Sequence, residues 1–293
     1  MKVALFGQKT STSLHDIIDP FLRFLTDQQV EFCIEEKFKQ ILGEYTNFDL
    51  SAIETFDSFE TLDKTSKFIF TFGGDGTILN AISYIKDSGI PIVGVNTGRL
   101  GFLATINKNY FIDQLENIFN DQYKLVPRTL LSISSKSELD LVDKFALNEI
   151  TVTRRETTSM ITVDSWLDGE YLNSFWADGL IISTPTGSTG YSLSCGGPIV
   201  HPSTENFIIT PIAPHNLNVR PLIVDDEACI DLKINSRANE YFLSLDSRNL
   251  ALSTEVEIRV KKANFYVYIV ETNEISYFNT LREKLLWGSD KRN

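Results

Sequence analysis

The stretch Gly73-Gly74-Asp75-Gly76-Thr77 sets a carboxylate among glycines directly after the apolar run Lys67–Phe72. Glycine lets the backbone turn sharply and lets a ligand approach with no Cβ in the way. The N–H groups that open a following helix would face an anion, a phosphate above all. An aspartate there, where a Lys or an N–H contact is the ordinary choice, points to a group that handles a proton or a metal-bridged phosphate. The stretch lacks the Lys-Ser/Thr pair of a Walker A loop, and Leu79 stands where a dinucleotide fingerprint has its third glycine. Taken bare, Gly-Asp-Gly also makes ordinary turns.

Two further glycine-bearing stretches follow apolar runs. Asn96-Thr97-Gly98-Arg99-Leu100-Gly101-Phe102 reads as a helix-entry loop or as part of a site. The longest runs from Asp178 to Pro202, where Thr184, Thr186, Ser188, Thr189, Tyr191, Ser192 and Ser194 are broken by Pro185, Gly187 and Gly190. So many hydroxyls in a loop kept open by glycine offer donors and acceptors to a sugar, an amide or a phosphate. Asn148 and Glu149 sit together on an expected strand or its edge. No G-x-S-x-G elbow accompanies His201 and His215, so nothing favours a hydrolase triad, and no His/Cys spacing matches a zinc site.

The elements that must position these residues change character along the chain. In the first part, Lys2–Phe6, Val30–Glu35, Lys67–Phe72 and Ile90–Asn96 read as apolar strands. Leu14, Ile17, Ile18, Phe21 and Leu25 keep helical spacing between the first two, with Pro20 expected to kink that helix or mark its start. A second helix is expected from Thr77, closed by Gly89. Apolar strands alternating with helices imply a parallel sheet covered on both faces. From about Val126 the segments alternate apolar and polar residues with little helix signal, and Asp168-Gly169 marks a type I′ hairpin. This half reads as antiparallel β. Ser276–Gly288 returns to helical spacing and is expected to close the fold against its body.

The composition narrows the partners. The 293 residues carry a net charge of −12 and no dense basic run, so neither nucleic acid nor an anionic membrane is an expected partner. No apolar run reaches membrane-spanning length, and the three scattered cysteines fit a reducing compartment, with the cytoplasm as the default.

In order along the chain, Gly73–Thr77, the Asn96–Ala104 stretch, the Leu-Asn-Glu-Ile around Asn148, Asp178–Pro202, the stretch from Ile212 and the Tyr277–Gly288 segment resemble the NAD kinase family. The first motif alone is shared with diacylglycerol-type lipid kinases and phosphofructokinases. The resemblance implies a kinase that uses ATP or polyphosphate with Mg²⁺ to phosphorylate the 2′-hydroxyl of the adenosine ribose of NAD. It implies an α/β domain over 1–125, an all-β NAD-binding domain over 126–272, and a last segment, 273–293, that returns to the first domain. Members are usually homodimers or homotetramers. Carried over motif by motif, Asp75 matches the catalytic aspartate, with Gly73, Gly74, Gly76 and Thr77 completing its loop. Asn148 and Glu149 match the pair at the adenine and ribose end. Asp178 matches the aspartate on the nicotinamide side, and Thr186, Thr189, Gly190, Tyr191, Ser192, Leu193 and Ser194 match the nucleotide loop. Asn80, Trp176 and Arg248 depart from the family's residue choices. A lipid kinase would need a basic or apolar membrane-facing patch, and a non-catalytic pyridine-nucleotide sensor would have no need of an intact Asp75 loop.

Overall fold

The computed structural model describes residues 1–8, 14–98, 101–155, 159–272 and 276–287. The chain divides into two compact units, Met1–Pro127 with Val267–Asn293, and Arg128–Tyr266.

In the first unit the chain runs through β1 (Lys2–Gly7), α1 (His15–Asp27), β2 (Glu31–Glu35), α2 (Glu36–Leu42), β3 (Glu54–Phe56), β4 (Phe68–Gly73), α3 (Asp75–Ile85), β5 (Ile92–Asn96), β6 (Ile106–Asn107) and α4 (Phe111–Phe119). The sheet order is β5-β4-β1-β2-β3 and every pairing along it is parallel, as apolar strands joined by helices require. The order reverses between β1 and β4. In open α/β sheets, ligands bind beyond the carboxyl ends of the strands at such a switch point. β4 ends at Gly73, so the Asp75 loop stands at that place. Phe21 of α1 packs its ring 4.9 Å from that of Phe70 and 5.1 Å from that of Phe111, joining sheet and helices in one core.

Two expectations are modified here. α1 begins at His15 and runs through Pro20, its buried apolar face (Ile17, Ile18, Phe21, Leu22, Leu25) keeping the helix against the sheet. α3 begins at Asp75 and ends at Ile85, well before Gly89, because Lys86 takes a φ of 41°.

The second unit holds β8 (Phe145–Ala146), β9 (Glu149–Arg154), β10 (Ile161–Leu167), β11 (Glu170–Ala177), β12 (Gly179–Ser183), α5 (Tyr191–Ser194), β13 (Asn206–Ile212), β14 (Leu222–Asp225), β15 (Ile230–Asn235), β16 (Glu240–Leu245) and β17 (Arg248–Ser253). β7 (Tyr123–Ser134) and β18 (Ile258–Thr272) contribute residues to both units. β14-β13-β12-β9-β16-β17 form one antiparallel sheet. β11-β10-β15-β18 form the second, again antiparallel. Ile150, Val152, Leu180 and Ile182 from the first meet Val163, Ile230, Leu232 and Val260 from the second in a shared core, which makes a sandwich. Asp168 and Gly169 have φ of 51° and 86°, the positive values of the expected type I′ turn. β18 runs unbroken from Ile258 to Thr272 as a single long strand.

The closing helix, α6 (Tyr277–Leu285), belongs to the first unit and buries Thr280 and Leu281. Within that unit its Tyr277 ring lies 6.5 Å from the Phe102 ring, and the Lys284 ammonium lies 5.7 Å from the same ring. Among the described residues no helix is long and apolar enough to cross a membrane.

Candidate active site

Asp75 is the first residue of α3, with Gly74 as its N-cap. Its side chain turns to the loop after β5. Oδ2 accepts the Phe102 N–H at 2.8 Å, and Oδ1 accepts those of Leu103 and Ala104, each at 3.0 Å. The contact is tight, since a Cβ added to Gly101 would lie 1.9 Å from Asp75 Oδ1. Asn96 supports the same loop by donating from Nδ2 to the Ala104 carbonyl at 3.3 Å. Arg99 and Leu100 of that stretch lie outside the described residues.

The glycines of the Asp75 loop differ in what they do. A Cβ on Gly73 would collide with the Thr77 side chain, 2.0 Å from its Oγ1, so this position must be bare for the loop to fold. A Cβ on Gly74 or Gly76 would meet no atom of the protein within 4 Å. Both are exposed, so their bareness serves no internal packing and leaves the approach to Asp75 open.

In the second unit, Asn148 and Glu149 lie where β9 begins, with the hydroxyl-rich loop wrapped around them. Thr184 donates its N–H to the Asn148 carbonyl at 2.9 Å and its hydroxyl to the Leu147 carbonyl at 2.6 Å. A Cβ on Gly187 would come within 2.0 Å of the Asn148 carbonyl oxygen, and one on Gly190 within 2.8 Å of Glu149 Oε2. Asn148 Oδ1 and Glu149 Oε2 are buried with no hydrogen-bond partner. Buried acceptors are normally satisfied, and these two oxygens are left open to a donor from outside the chain. Burial, and then the negative charge of Asp246, push the Glu149 carboxyl up to about 8, against the pull of the Tyr191 N–H.

The other expected residues divide by what their side chains already touch. Asp178 pairs with Arg154 at 3.1 Å. Thr186 is buried, and its carbonyl accepts the Thr189 hydroxyl at 3.3 Å. The Ser192 hydroxyl is fully buried and bonded to that of Thr210 at 2.8 Å, which makes it part of the loop's internal frame. Tyr191 and Ser194 are exposed and Leu193 is half-buried. His201 bonds Ser203 in an exposed turn, and the His215 ring lies 4.4 Å from that of Trp176. Sequence reasoning missed Arg154 as the partner of Asp178, and Asp246, whose carboxylate accepts the N–H groups of Leu147, Asn148 and Glu149. Only a Leu-Asp-Ser-Arg turn between alternating segments could have hinted at the second.

Residues 3–123 match the model of the ATP-NAD kinase N-terminal domain, and residues 147–272 match that of the ATP-NAD kinase C-terminal domain. The chain belongs to the NAD kinase family. The NAD kinases of Christiangramia forsetii and Flavobacterium psychrophilum are each 48% identical to it over 295 residues, covering 100% of both chains. Among solved structures, yeast NADH kinase complexed with NADH is similar at a TM-score of 0.87 and 25% identity, covering 99% of this chain and 89% of its own. An NAD kinase from Archaeoglobus fulgidus in complex with ATP is similar at 0.75 and 28%, covering 98% and 99%.

Within this family framework the departing residues acquire local roles. Asn80 donates from Nδ2 to Gln8 Oε1 at 2.7 Å. Arg248 turns to the strand before Asn148, donating to the carbonyls of Asp143 and Phe145. Among the described residues no group of three or more His, Cys, Asp or Glu side chains is placed to hold a metal ion.

Proposed function

We propose that this protein transfers the γ-phosphoryl group of ATP to the 2′-hydroxyl of the adenosine ribose of NAD, forming NADP. The observation that carries this reading is the Asp75 carboxylate, oriented by three backbone N–H groups at the switch point of a parallel sheet, with open approach past Gly74 and Gly76. Phosphoryl transfer has a loose transition state and gains most from positioning and charge neutralisation. Asp75 orients the acceptor hydroxyl and takes its proton as the new P–O bond forms and the bond to ADP breaks. The N–H groups opening α3 favour the charge on the donor phosphates. Mg²⁺ would come with ATP and would neutralise charge on the donor phosphates. Asn148 and Glu149 receive the donor groups of the adenosine end, which suits their unpartnered oxygens. Asp178, Thr186, Thr189, Gly190, Tyr191, Leu193 and Ser194 complete the nucleotide loop, with Ser192 bracing it from within.

Around this activity the same reading places the protein in the cytoplasm, with Cys33, Cys195 and Cys229 all free, and as a homodimer or homotetramer. Polyphosphate is a second donor to be assayed. NADH is a second acceptor to be assayed, since one structural relative is an NADH kinase complexed with NADH. The test is incubation with NAD, ATP and Mg²⁺, reading NADP by a coupled dehydrogenase, with diacylglycerol as a parallel acceptor. NADP formation that disappears in Asp75→Asn is the expected result. Absence of NADP with the wild-type protein, or phosphorylation of the lipid alone, would overturn the reading.

A further inference from the structure

The turn between β16 and β17 grips the Asn148–Glu149 segment from the side opposite the hydroxyl loop. At its apex Asp246 takes a φ of 51°. Asp246 Oδ2 accepts the Leu147 N–H at 2.9 Å, and Oδ1 accepts those of Asn148 at 2.8 Å and Glu149 at 3.1 Å. Its own N–H returns a bond to the Glu149 carbonyl at 3.0 Å. Two residues on, Arg248 donates to the carbonyls of Asp143 and Phe145 and lies 5.2 Å from the Phe145 ring. One short turn therefore holds the backbone of the pair whose side-chain oxygens are unpartnered, together with the residues just before it.

Three consecutive N–H donors converging on one carboxylate form an anion-binding arrangement, here filled from within the chain. That choice has an electrostatic cost, because burial pushes the Asp246 carboxyl up against the pull of the three N–H groups and Arg248, and its charge stands beside a second buried carboxyl group. A loop could be held by an amide or by apolar packing without that repulsion.

We propose that Asp246 is a positioning residue for nucleotide binding, acting through the backbone of Asn148 and Glu149 and not by touching the nucleotide itself. The inference rests on the reading of Asn148 and Glu149 as nucleotide-binding residues. Its second consequence is electrostatic. The groups facing Glu149 are Asp246 from the β16–β17 turn and the Tyr191 N–H from α5, while Arg248 on the same turn acts on Asp246. Removing the Asp246 charge therefore lowers the pH at which Glu149 ionises.

The experiment compares wild type, Asp246→Asn and Asp246→Glu. NAD affinity is measured by calorimetry between pH 6 and 9, and kcat and the KM values for NAD and ATP in the coupled assay. In Asp246→Asn the Kd and KM for NAD rise by about tenfold or more, kcat and the KM for ATP move less than about threefold, and the midpoint of the pH dependence of NAD affinity falls by about one unit. Asp246→Glu keeps the charge but not the reach, so it raises the KM for NAD while leaving that midpoint in place. If Asp246→Asn does not fold, the Asp246→Glu result decides. Wild-type NAD affinity in that variant, an equal loss in kcat and both KM values, or a midpoint unmoved in Asp246→Asn overturns the proposal. A wild-type protein that binds NAD without phosphorylating it refutes the kinase reading and leaves the affinity measurements to decide this one. A wild-type protein that binds no NAD refutes both.

Discussion

A Cβ on Gly101 would lie 1.9 Å from Oδ1 of Asp75, inside the distance of any real contact. Gly101→Ala is therefore expected to push the carboxylate off the Phe102–Ala104 N–H groups without altering its chemistry. A misplacement of about 1 Å at a reacting group costs on the order of 10²-fold in rate. We expect kcat to fall by about that factor, with the KM for NAD changed far less. Steady-state kinetics check this, and a kcat within threefold of wild type would show that the loop does not set the position of Asp75.

Gly74 and Gly76 provide the opposite case. Neither meets protein atoms if given a Cβ, and Gly76 lies within α3. Gly76→Ala should leave stability unchanged or raise it by up to about 1 kcal/mol, through better helix propensity. Activity should nevertheless drop at least about tenfold, since the methyl group stands in the approach to Asp75. Thermal melts and turnover on the same preparation separate the two effects. Unchanged turnover would mean that the open space has no ligand.

At Gly187 packing itself is at stake. A Cβ there meets the Asn148 carbonyl oxygen at 2.0 Å, and backbone cannot give way as a side-chain end can. Gly187→Ala should cost about 1–3 kcal/mol, the usual range for overpacking, and raise the KM for NAD as Asn148 is displaced. Urea unfolding provides the first number and the coupled assay the second. Wild-type values for both would show that the loop yields freely.

Glu149 predicts a pH dependence of stability in the ligand-free protein. Its carboxyl titrates up to about 8 in the fold, against about 4.3 for a free glutamate. Across that window the folded state binds the extra proton, so stability falls as pH rises through it. Glu149→Gln lacks that loss. It should be more stable than wild type by about 1–3 kcal/mol at pH 8.5, with the difference shrinking toward pH 5. Urea titrations at the two pH values provide the check, and a difference independent of pH would remove Glu149 as the titrating group.

Much of this protein could be read from local sequence. β1, β2, β4 and β5 lie within a few residues of the apolar runs that announced them, because burial on both faces of a parallel sheet leaves an uninterrupted hydrophobic string. Asp168-Gly169 announced its turn because positive φ is costly for almost every other residue pair. Residue type and spacing also marked out Asp75 and the hydroxyl loop as candidates, whereas the Asn148–Glu149 pair was singled out only by the family resemblance. The extent of α1 and α3 was less legible. Pro20 is tolerated because tertiary burial outweighs its local penalty, and Lys86 ends α3 in a conformation that composition does not announce.

What the sequence by itself determined is the family, the alternation of elements and the residue types able to bind a nucleotide and move a proton, since these depend on identity and local periodicity. Only the tertiary structure decided which groups orient them. Asp246 lies 99 residues from Leu147, and Phe102 lies 27 from Asp75. The Ser192 hydroxyl, one of many in its loop, is spent on Thr210. Hydrogen bonds and close approaches of this kind join segments that local propensity treats as unrelated, so they come into being only when sheet pairing brings those segments together.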